Sequence, residues 1–471
     1  LSLYNSIYNR SPVFVQNLIV SAYGYQWKKR RFGGIFPQEY EAAKERENFT
    51  GEQWQRYRQQ ALQKILLHAF DQVPFYQNSF KQQGLSRQFL ANIAPDTIQQ
   101  LPVLLKDDLR KEGTSTLLSA NKEKGGSFFS SSGSTGTPVK ILYSPAMHQR
   151  WFALFESRIR NWAGVSSNVP RGMIGGRRIL PGAEAQPPFY RYNAAEKQVY
   201  FSAYHINKTN AVNYLKGILE HQVSYMTGYA MSNFFLARFF KELQLQPPQL
   251  KAVLPSSEKL TPEMRKLFKE VYGCKTFDSW GSVEACGMIS ECEHRSLHIN
   301  PDAGLIEVLD EHLQPVPSGT AGDVYCTGFL NFDQPLIRYK IGDRMILSDK
   351  SCSCGRNMPV VEDICGRIED VVIGKDGREM VRFHSVFYDI DKIKQAQVIQ
   401  ETTFDILIKI VTENSLTNKE LADIKDRITT QLGDVDVAIE EVDSIPLNNN
   451  GKFQAVISKI KRGQQQIIHH K

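Results

Sequence analysis

Ser224-Tyr225-Met226-Thr227-Gly228-Tyr229 is a short apolar and aromatic run that ends at a glycine, and a helical pattern over Ser232–Glu242 follows it. This strand–turn–helix unit recurs on both sides. Val199-Tyr200-Phe201-Ser202 reads as a strand before a helix across Ala211–His221. Leu250-Lys251-Ala252-Val253-Leu254 opens a third unit, with Thr261-Pro262-Glu263 as N-cap and first turn of its helix, and Lys275-Thr276-Phe277 continues the rhythm. Strands alternating with helices predict an α/β sheet that is mostly parallel, with ligands held in loops beyond the carboxyl ends of its strands.

Farther out the pattern changes. Leu62, Ile65, Leu66 and Phe70 share one face of a helix that stops at Val73-Pro74, and Met147 to Val165 reads as an aromatic-rich helix. Gly172–Pro188 is turn-rich and is expected to be a long irregular segment. From Ile306 to Leu347, short β segments between Gly, Pro and Asp turns predict a small β unit. Beyond Cys365 comes a compact α+β tail. Its expected elements are a hairpin around Lys375-Asp376-Gly377, a strand Asp405–Val411, a helix Asn418–Leu432 and a strand Asp436–Val442. A domain boundary is expected near Gly366–Asp370.

The 471 residues carry a mild net charge of +7 without a Lys/Arg run longer than four residues, which argues against nucleic acid as a partner and fits a basic cleft for an anionic ligand. No run of eighteen apolar residues occurs, so no membrane span is expected. Leu1–Tyr25 lacks the basic lead and unbroken apolar stretch of a signal peptide, and an interfacial helix there stays open. The seven cysteines, 274, 286, 292, 326, 352, 354 and 365, fall in one window. An odd, clustered set points to a local metal site in a reducing, cytoplasmic compartment rather than to a disulfide framework.

Ser130-Ser131-Ser132-Gly133-Ser134-Thr135-Gly136-Thr137-Pro138-Val139-Lys140 lies between Phe128-Phe129 and Ile141-Leu142-Tyr143, and reads as a tight loop joining two strands. Its glycines let successive N–H groups converge, and its hydroxyls add donors, so the loop is suited to the phosphates of a nucleotide. It is not a Walker loop, and read alone it is also compatible with a solvated Ser/Gly linker. Asp278-Ser279-Trp280-Gly281-Ser282-Val283-Glu284 supplies a large ring, a tight turn and an acid. Trp280 can lie against a purine and Glu284 can help ligate Mg²⁺. Ser257 and Glu258 end another strand and can edge the same pocket. Ile337-Arg338-Tyr339-Lys340-Ile341-Gly342-Asp343 places a carboxylate after a glycine turn, a group able to accept from both ribose hydroxyls. Far downstream, Asn448-Asn449-Asn450-Gly451-Lys452 puts a lysine on a turn.

Taken in order, these motifs resemble the acyl-adenylate-forming (ANL) superfamily, in the phenylacetate-CoA ligase-like branch that includes CapK and coenzyme F390 synthetase-type proteins; the resemblance spans about Tyr40 to Lys461. It implies a large N-terminal adenylation domain over residues 1–367 and a small mobile α+β lid over 368–471. The implied activity is AMP-forming ligation. ATP and Mg²⁺ activate a carboxylic acid to an acyl-adenylate, and the acyl group passes to CoA or, as CapK-like relatives in surface polysaccharide biosynthesis imply, to an amine or sugar. By resemblance, Ser131, Ser132, Gly133, Ser134, Thr135, Gly136, Thr137 and Lys140 bind the phosphates. Trp280, Gly281 and Ser282 border the adenine, Glu284 holds Mg²⁺, and Asp343 with Arg367 holds the ribose. Lys452 is the catalytic lysine. Tyr204-His205, Tyr225 to Tyr229 and Gly281 to Met288 line the acyl pocket, whose aromatic density points to an aromatic acid. Val283 stands where the family usually has Ser or Thr, Thr137 replaces a loop Lys, Glu369 replaces the hinge Asp, and the lysine turn lacks its usual Arg-Thr. Those departures leave a nucleotide-binding protein without turnover as a rival reading.

Cys292-x5-His298 and Cys352-x-Cys354 offer three thiolates and an imidazole, a tetrahedral zinc set, with Cys365 and His294 in reserve. Cys-x-Cys-Gly-Arg also resembles segments of this branch where a structural zinc is found.

Overall fold

The computed structural model describes residues 8–130, 139–180, 185–365, 372–374, 379–380, 383–387, 390, 392–446 and 455–460. A six-stranded sheet runs in the order Tyr190–Asn193, Gln198–Ser202, Arg171–Gly175, Tyr225–Tyr229, Ala252–Ser256, Lys275–Thr276. Its last five strands are parallel, and Tyr190–Asn193 runs antiparallel along one edge. The helices Ala211–Glu220, Ala230–Glu242 and Pro262–Tyr272 alternate with these strands and bury Tyr214, Ile218, Phe235, Leu236, Phe240 and Phe268 in one cluster. Thr261 accepts the Met264 N–H at the start of the third helix, and Gly273 closes it with φ +65°.

The strand Arg171–Gly175 occupies the middle of the sheet, where the composition reads as irregular. Its glycines explain the difference. A Cβ on Gly172 would lie 2.4 Å from Met226 Sδ and 2.9 Å from a Phe201 ring carbon, so the missing side chain makes room for both neighbouring strands. The expected helix over Met147–Val165 begins two residues earlier, as Pro145–Leu154, and continues as a wider π-helical segment, Phe155–Arg160.

A second sheet of seven antiparallel strands runs in the order Gly304–Leu309, Ala321–Gly328, Tyr339–Ser348, Val360–Cys365, Leu297–Ile299, Met288–Glu291, Ser279–Gly281. Only Phe277-Asp278 separates the edge strand Lys275–Thr276 of the first sheet from the edge strand Ser279–Gly281 of the second. The two sheets are therefore joined where the sequence places its aromatic–glycine–acid turn.

From Val372 onward the chain forms the hairpin Val372–Ile373/Glu379–Met380 and a four-stranded sheet. Its order is Asp436–Glu441, Asp405–Thr412, Ile393–Gln400, Val456–Ser458. The strand Ile393–Gln400 has no counterpart in the sequence reading. The helix Asn418–Leu432 starts at a Thr417–Glu420 capping box and packs Ile424, Ile428 and Leu432 against Ile406, Ile408 and Ile410. The boundary segment near Gly366–Asp370 lies outside the described residues, and so does the turn Lys375-Asp376-Gly377.

One buried ion network ties the N-terminal helices to the second sheet. Arg158, 0% exposed, donates to Asp302, 1% exposed, through both terminal nitrogens; the Nη2–Oδ2 distance is 2.8 Å. Arg46 Nε donates to the same Oδ2 at 2.7 Å. Burial opposes ionisation of Asp302, yet the two guanidinium groups hold its carboxyl below the ordinary value. Asp302→Ala leaves Arg158 buried without its partner and is expected to cost about 3–5 kcal/mol in urea unfolding; a loss under about 1 kcal/mol would show that the network carries little stability.

Candidate functional site

The strands Ser127–Ser130 and Lys140–Tyr143 pair antiparallel, with Ser130 opposite Lys140. They bring together the two ends of the Ser/Gly-rich segment, whose residues 131–138, including Ser131, Ser132, Gly133, Ser134, Thr135, Gly136 and Thr137, lie outside the described residues. Lys140 is exposed. Tyr143 of this hairpin reaches the acidic turn, and Gln334 and Asn331, from a distant segment, hold the hairpin's second strand. Tyr143 donates its hydroxyl to the Val283 carbonyl at 2.7 Å. The buried Gln334 accepts the Leu142 N–H at 2.6 Å and donates to the Gly113 and Lys140 carbonyls at 2.8 and 3.2 Å. Asn331 donates to the Leu142 carbonyl at 3.0 Å. Sequence reasoning missed Gln334 and Asn331, because nothing in their local composition says that they clamp a strand almost two hundred positions away.

Asp343 is aimed by a bulge. Asp323 pairs with Arg344 and Tyr325 with Lys340, so Ile341, Gly342 and Asp343 together oppose the single residue Val324. Gly342, at φ +91°, takes the backbone conformation that the bulge needs. The Asp343 side chain then accepts the Trp280 indole N–H, Nε1 to Oδ2 2.9 Å. Trp280 is 8% exposed, with its ring among core residues such as Ile289 and Cys326. Little of that ring is open to a stacked base. Most of it is a buttress for Asp343, a role the sequence reading did not give it.

Gly281 is exposed at the end of its strand, and the half-buried Ser282 accepts the Ala285 N–H through its carbonyl, closing the turn. The buried Glu284 accepts from the Tyr339 hydroxyl at 3.2 Å through Oε1. Burial raises the pKa of Tyr143 and of Tyr339, and the Glu284 charge raises both further, so both phenols stay protonated donors. Glu258 is partly committed elsewhere. One of its oxygens accepts the Met231 N–H at 2.8 Å, in the first turn of the helix Ala230–Glu242, where the helix dipole favours an anion. Ser257 is exposed beyond its strand with φ +70°, a left-handed conformation unusual for a residue with a Cβ. Arg367 and Lys452 lie outside the described residues.

The residues expected around the acyl pocket are largely core. Tyr225 is 0% exposed and donates to the Ser166 carbonyl, His205 stacks on Phe189, and Tyr204 packs into the hydrophobic cluster of the C-terminal part. The aromatic side chains of Tyr204, His205 and Tyr225 are taken up by packing between strands and helices.

Cys292, His298, Cys352 and Cys354 converge, all four ligand atoms lying within 4.8 Å of one another. Cys292 Sγ and Cys352 Sγ are 3.7 Å apart, and Cys354 Sγ is 3.4 Å from His298 Nε2. Ligands at zinc bond lengths around a tetrahedral centre would sit about 3.8 Å apart for two sulfurs and about 3.6 Å for sulfur and nitrogen. His298 Nδ1 lies 3.3 Å from the Met358 carbonyl, an outer contact that leaves Nε2 facing the thiols. His294 instead contacts Ser353, and Cys365 pairs across the sheet with Arg344, so neither reserve ligand joins the set.

Comparison with known proteins gives a consistent set of likenesses. The CapK C-terminal domain family matches residues 372–459. The protein CapK of Staphylococcus aureus is 26% identical over 98% of this chain and 100% of its own length. The phenylacetate-coenzyme A ligase of Thermus thermophilus is 25% identical over 70% of this chain and 74% of its own. Among solved structures, 2-hydroxyisobutyryl-CoA ligase in its postadenylation state with 2-HIB-AMP superposes with a TM-score of 0.55 at 18% identity, covering 90% of this chain and 94% of that one.

At the junction of the two sheets, burial lifts the Asp278 carboxyl to about 6. Arg265, the Ser279 N–H and Lys259 pull it down, and Glu291 pushes it up. A carboxyl raised in the folded state is least costly when protonated, so its contribution is most favourable below the ordinary value and declines as the pH rises through about 6. Asp278→Asn removes this titration and still offers the Ser279 N–H an acceptor. The variant's stability relative to the parent is expected to climb between about pH 4 and pH 6 and to level at roughly 1–3 kcal/mol. Urea unfolding at both ends of that range checks it; a difference independent of pH contradicts the assignment.

Proposed function

We propose, from the likeness to CapK and the phenylacetate-CoA ligases, that the chain is a member of the acyl-adenylate-forming superfamily and an AMP-forming ligase that activates a carboxylic acid with ATP. The observation that carries the reading is the hydrogen bond between Trp280 and Asp343, which joins two turns 63 positions apart beside Glu284.

In this reading the carboxylate oxygen of the acid bonds to the α-phosphorus of ATP, the bond to the β-phosphate oxygen breaks, and pyrophosphate leaves. The segment Ser131–Thr137, with Lys140 at its base, cradles the phosphates through backbone and hydroxyl donors. Asp343, fixed by the Trp280 indole, takes the ribose hydroxyls, and Arg367 is assigned to the same task. The uncovered margin of Trp280, Gly281 and Ser282 borders the adenine. Glu284, oriented by Tyr339, would hold Mg²⁺, which supplies charge neutralisation as the phosphate is attacked. Residues 368–471 serve as a lid that brings Lys452 to the phosphates and then moves aside for the acceptor.

Two acceptors follow from different likenesses. Relatives named as phenylacetate-coenzyme A ligases favour CoA, which makes the product a thioester. An amine or sugar is the rival acceptor implied by the resemblance to CapK, whose C-terminal domain family matches residues 372–459. ATP–pyrophosphate exchange across a panel of aliphatic and aromatic acids tests the first half-reaction. Acid-dependent exchange is expected, and Asp343→Ala is expected to raise the ATP KM by about 10–100-fold, the loss of one charged hydrogen-bond acceptor. ATP binding without exchange for any acid would instead establish a nucleotide-binding protein without turnover.

Cys292, His298, Cys352 and Cys354 fit a structural zinc that pins the loop after Met288–Glu291 to the loop after Tyr339–Ser348. The four ligands leave no open position, so the ion supports the site and takes no part in the reaction. Metal analysis of the purified chain is expected to give about one zinc per molecule, and Cys354→Ser to lower both that occupancy and the melting temperature. A stoichiometry near zero removes the ion.

A further inference from the structure

The helix Val13–Phe32 sits on the protein through a face of mixed polarity. Its inward face packs Val20 and Trp27 on apolar and aromatic neighbours and adds a row of polar contacts to them. Asn17 accepts the Tyr192 N–H at 3.0 Å, Ser21 accepts the Ala194 N–H at 3.0 Å, and Lys28 donates to the Ala195 carbonyl at 3.0 Å. Gln16 is buried and accepts from Arg191, and Gly24 lies so close to Asn193 that a Cβ would meet its side chain at 2.2 Å. The strand Tyr190–Asn193 is the edge of the six-stranded sheet, and its outer N–H groups need acceptors, which these side chains provide.

The outward face is apolar. Phe14 is 67% exposed, Leu18 66% and Tyr25 64%, and at 100° per residue they fall on one stripe with Lys29 at its end. With Ile19 and Tyr23, five of the eleven large apolar side chains most exposed among the described residues belong to this single helix. Burial against the protein itself does not account for that concentration.

Charge says what the stripe faces. The first 32 residues contain Arg10, Lys28, Lys29, Arg30 and Arg31 and no Asp or Glu, so they carry +5 of the net +7. The remaining 439 residues hold 52 basic against 50 acidic side chains. Arg30 and Arg31 are turned inward, to the Tyr143 and Gly125 carbonyls and to Glu196, and the exposed cations are Arg10, Lys28 and Lys29. The nearby acids are engaged, Glu196 by Arg31 and Arg171 and Glu123 by the Ala146 N–H. Two copies meeting through this helix would bring like charges together, whereas an anionic lipid surface offers apolar depth and negative headgroups at once.

We propose that the helix Val13–Phe32 lies in the interface of an anionic membrane, with Phe14, Leu18 and Tyr25 inserted and Arg10 and Lys29 at the headgroups. The site built from Trp280, Asp343 and Glu284 would then work beside a bilayer. The test is flotation of the full chain with phosphatidylcholine vesicles, with and without phosphatidylglycerol. Expected is binding to the mixed vesicles that weakens with added salt, and that falls about tenfold or more for the combined Phe14→Ser, Leu18→Ser and Tyr25→Ser variant. Circular dichroism and an unchanged melting temperature certify that the variant is folded. Absence of binding to either vesicle, or equal binding by parent and variant, overturns the proposal. So does light scattering that finds a dimer for the parent and a monomer for the variant, since the stripe would then face a second copy.

Discussion

The indole N–H of Trp280 can reach Asp343 only because two sheets meet at Phe277-Asp278 and because Gly342 lets the Tyr339–Ser348 strand bulge. That bond holds the edge of the second sheet and its centre at one fixed point. Glu284 and Tyr339 add a second bond between the same two segments, and Tyr143 ties the Ser/Gly-rich hairpin to the turn before Glu284. Backbone registers and buried donors thus fix the direction of the Asp343 and Glu284 carboxylates.

Buried polar groups elsewhere serve the same end. Gln334 and Asn331 pair with backbone groups of the Lys140–Tyr143 strand, whose N–H and C=O would otherwise be left unsatisfied in a dry interior. Arg338, also fully buried, donates to Glu307 and to the Gln99 and Leu101 carbonyls, fastening the N-terminal helical region to the second sheet. Arg158 and Asp302 do the same for the segments around residues 43 and 158. The four-residue Cys/His set closes the far end of the strands that carry Trp280.

Much of this was legible from residues alone, and for definite reasons. The strand–turn–helix rhythm around Ser224–Tyr229 appears because alternating elements that cover a parallel sheet repeat their apolar spacing. The convergence of Cys292, His298, Cys352 and Cys354 was legible because three thiols and an imidazole recur at short spacings. Arg171–Gly175 was not, since the glycines that suit it to the sheet centre are the same residues that mark turns elsewhere. Trp280 and Glu258 were read as ligand contacts by residue type. Packing makes the first mainly a support for Asp343 and gives one oxygen of the second to a helix N-terminus.

By itself the sequence determined the α/β class, the order of the motifs, the thiol and imidazole make-up of the Cys/His cluster and the basic composition of the first 32 residues. These are properties of local spacing and composition, and they survive without knowledge of which segments touch. Only the tertiary structure decided that Asp343 meets Trp280, that Gln334 holds the hairpin strand and that the helix Val13–Phe32 turns its apolar stripe outward. Each of those depends on strand register and on which face a neighbouring element covers, and register is set by contacts between residues far apart in the chain.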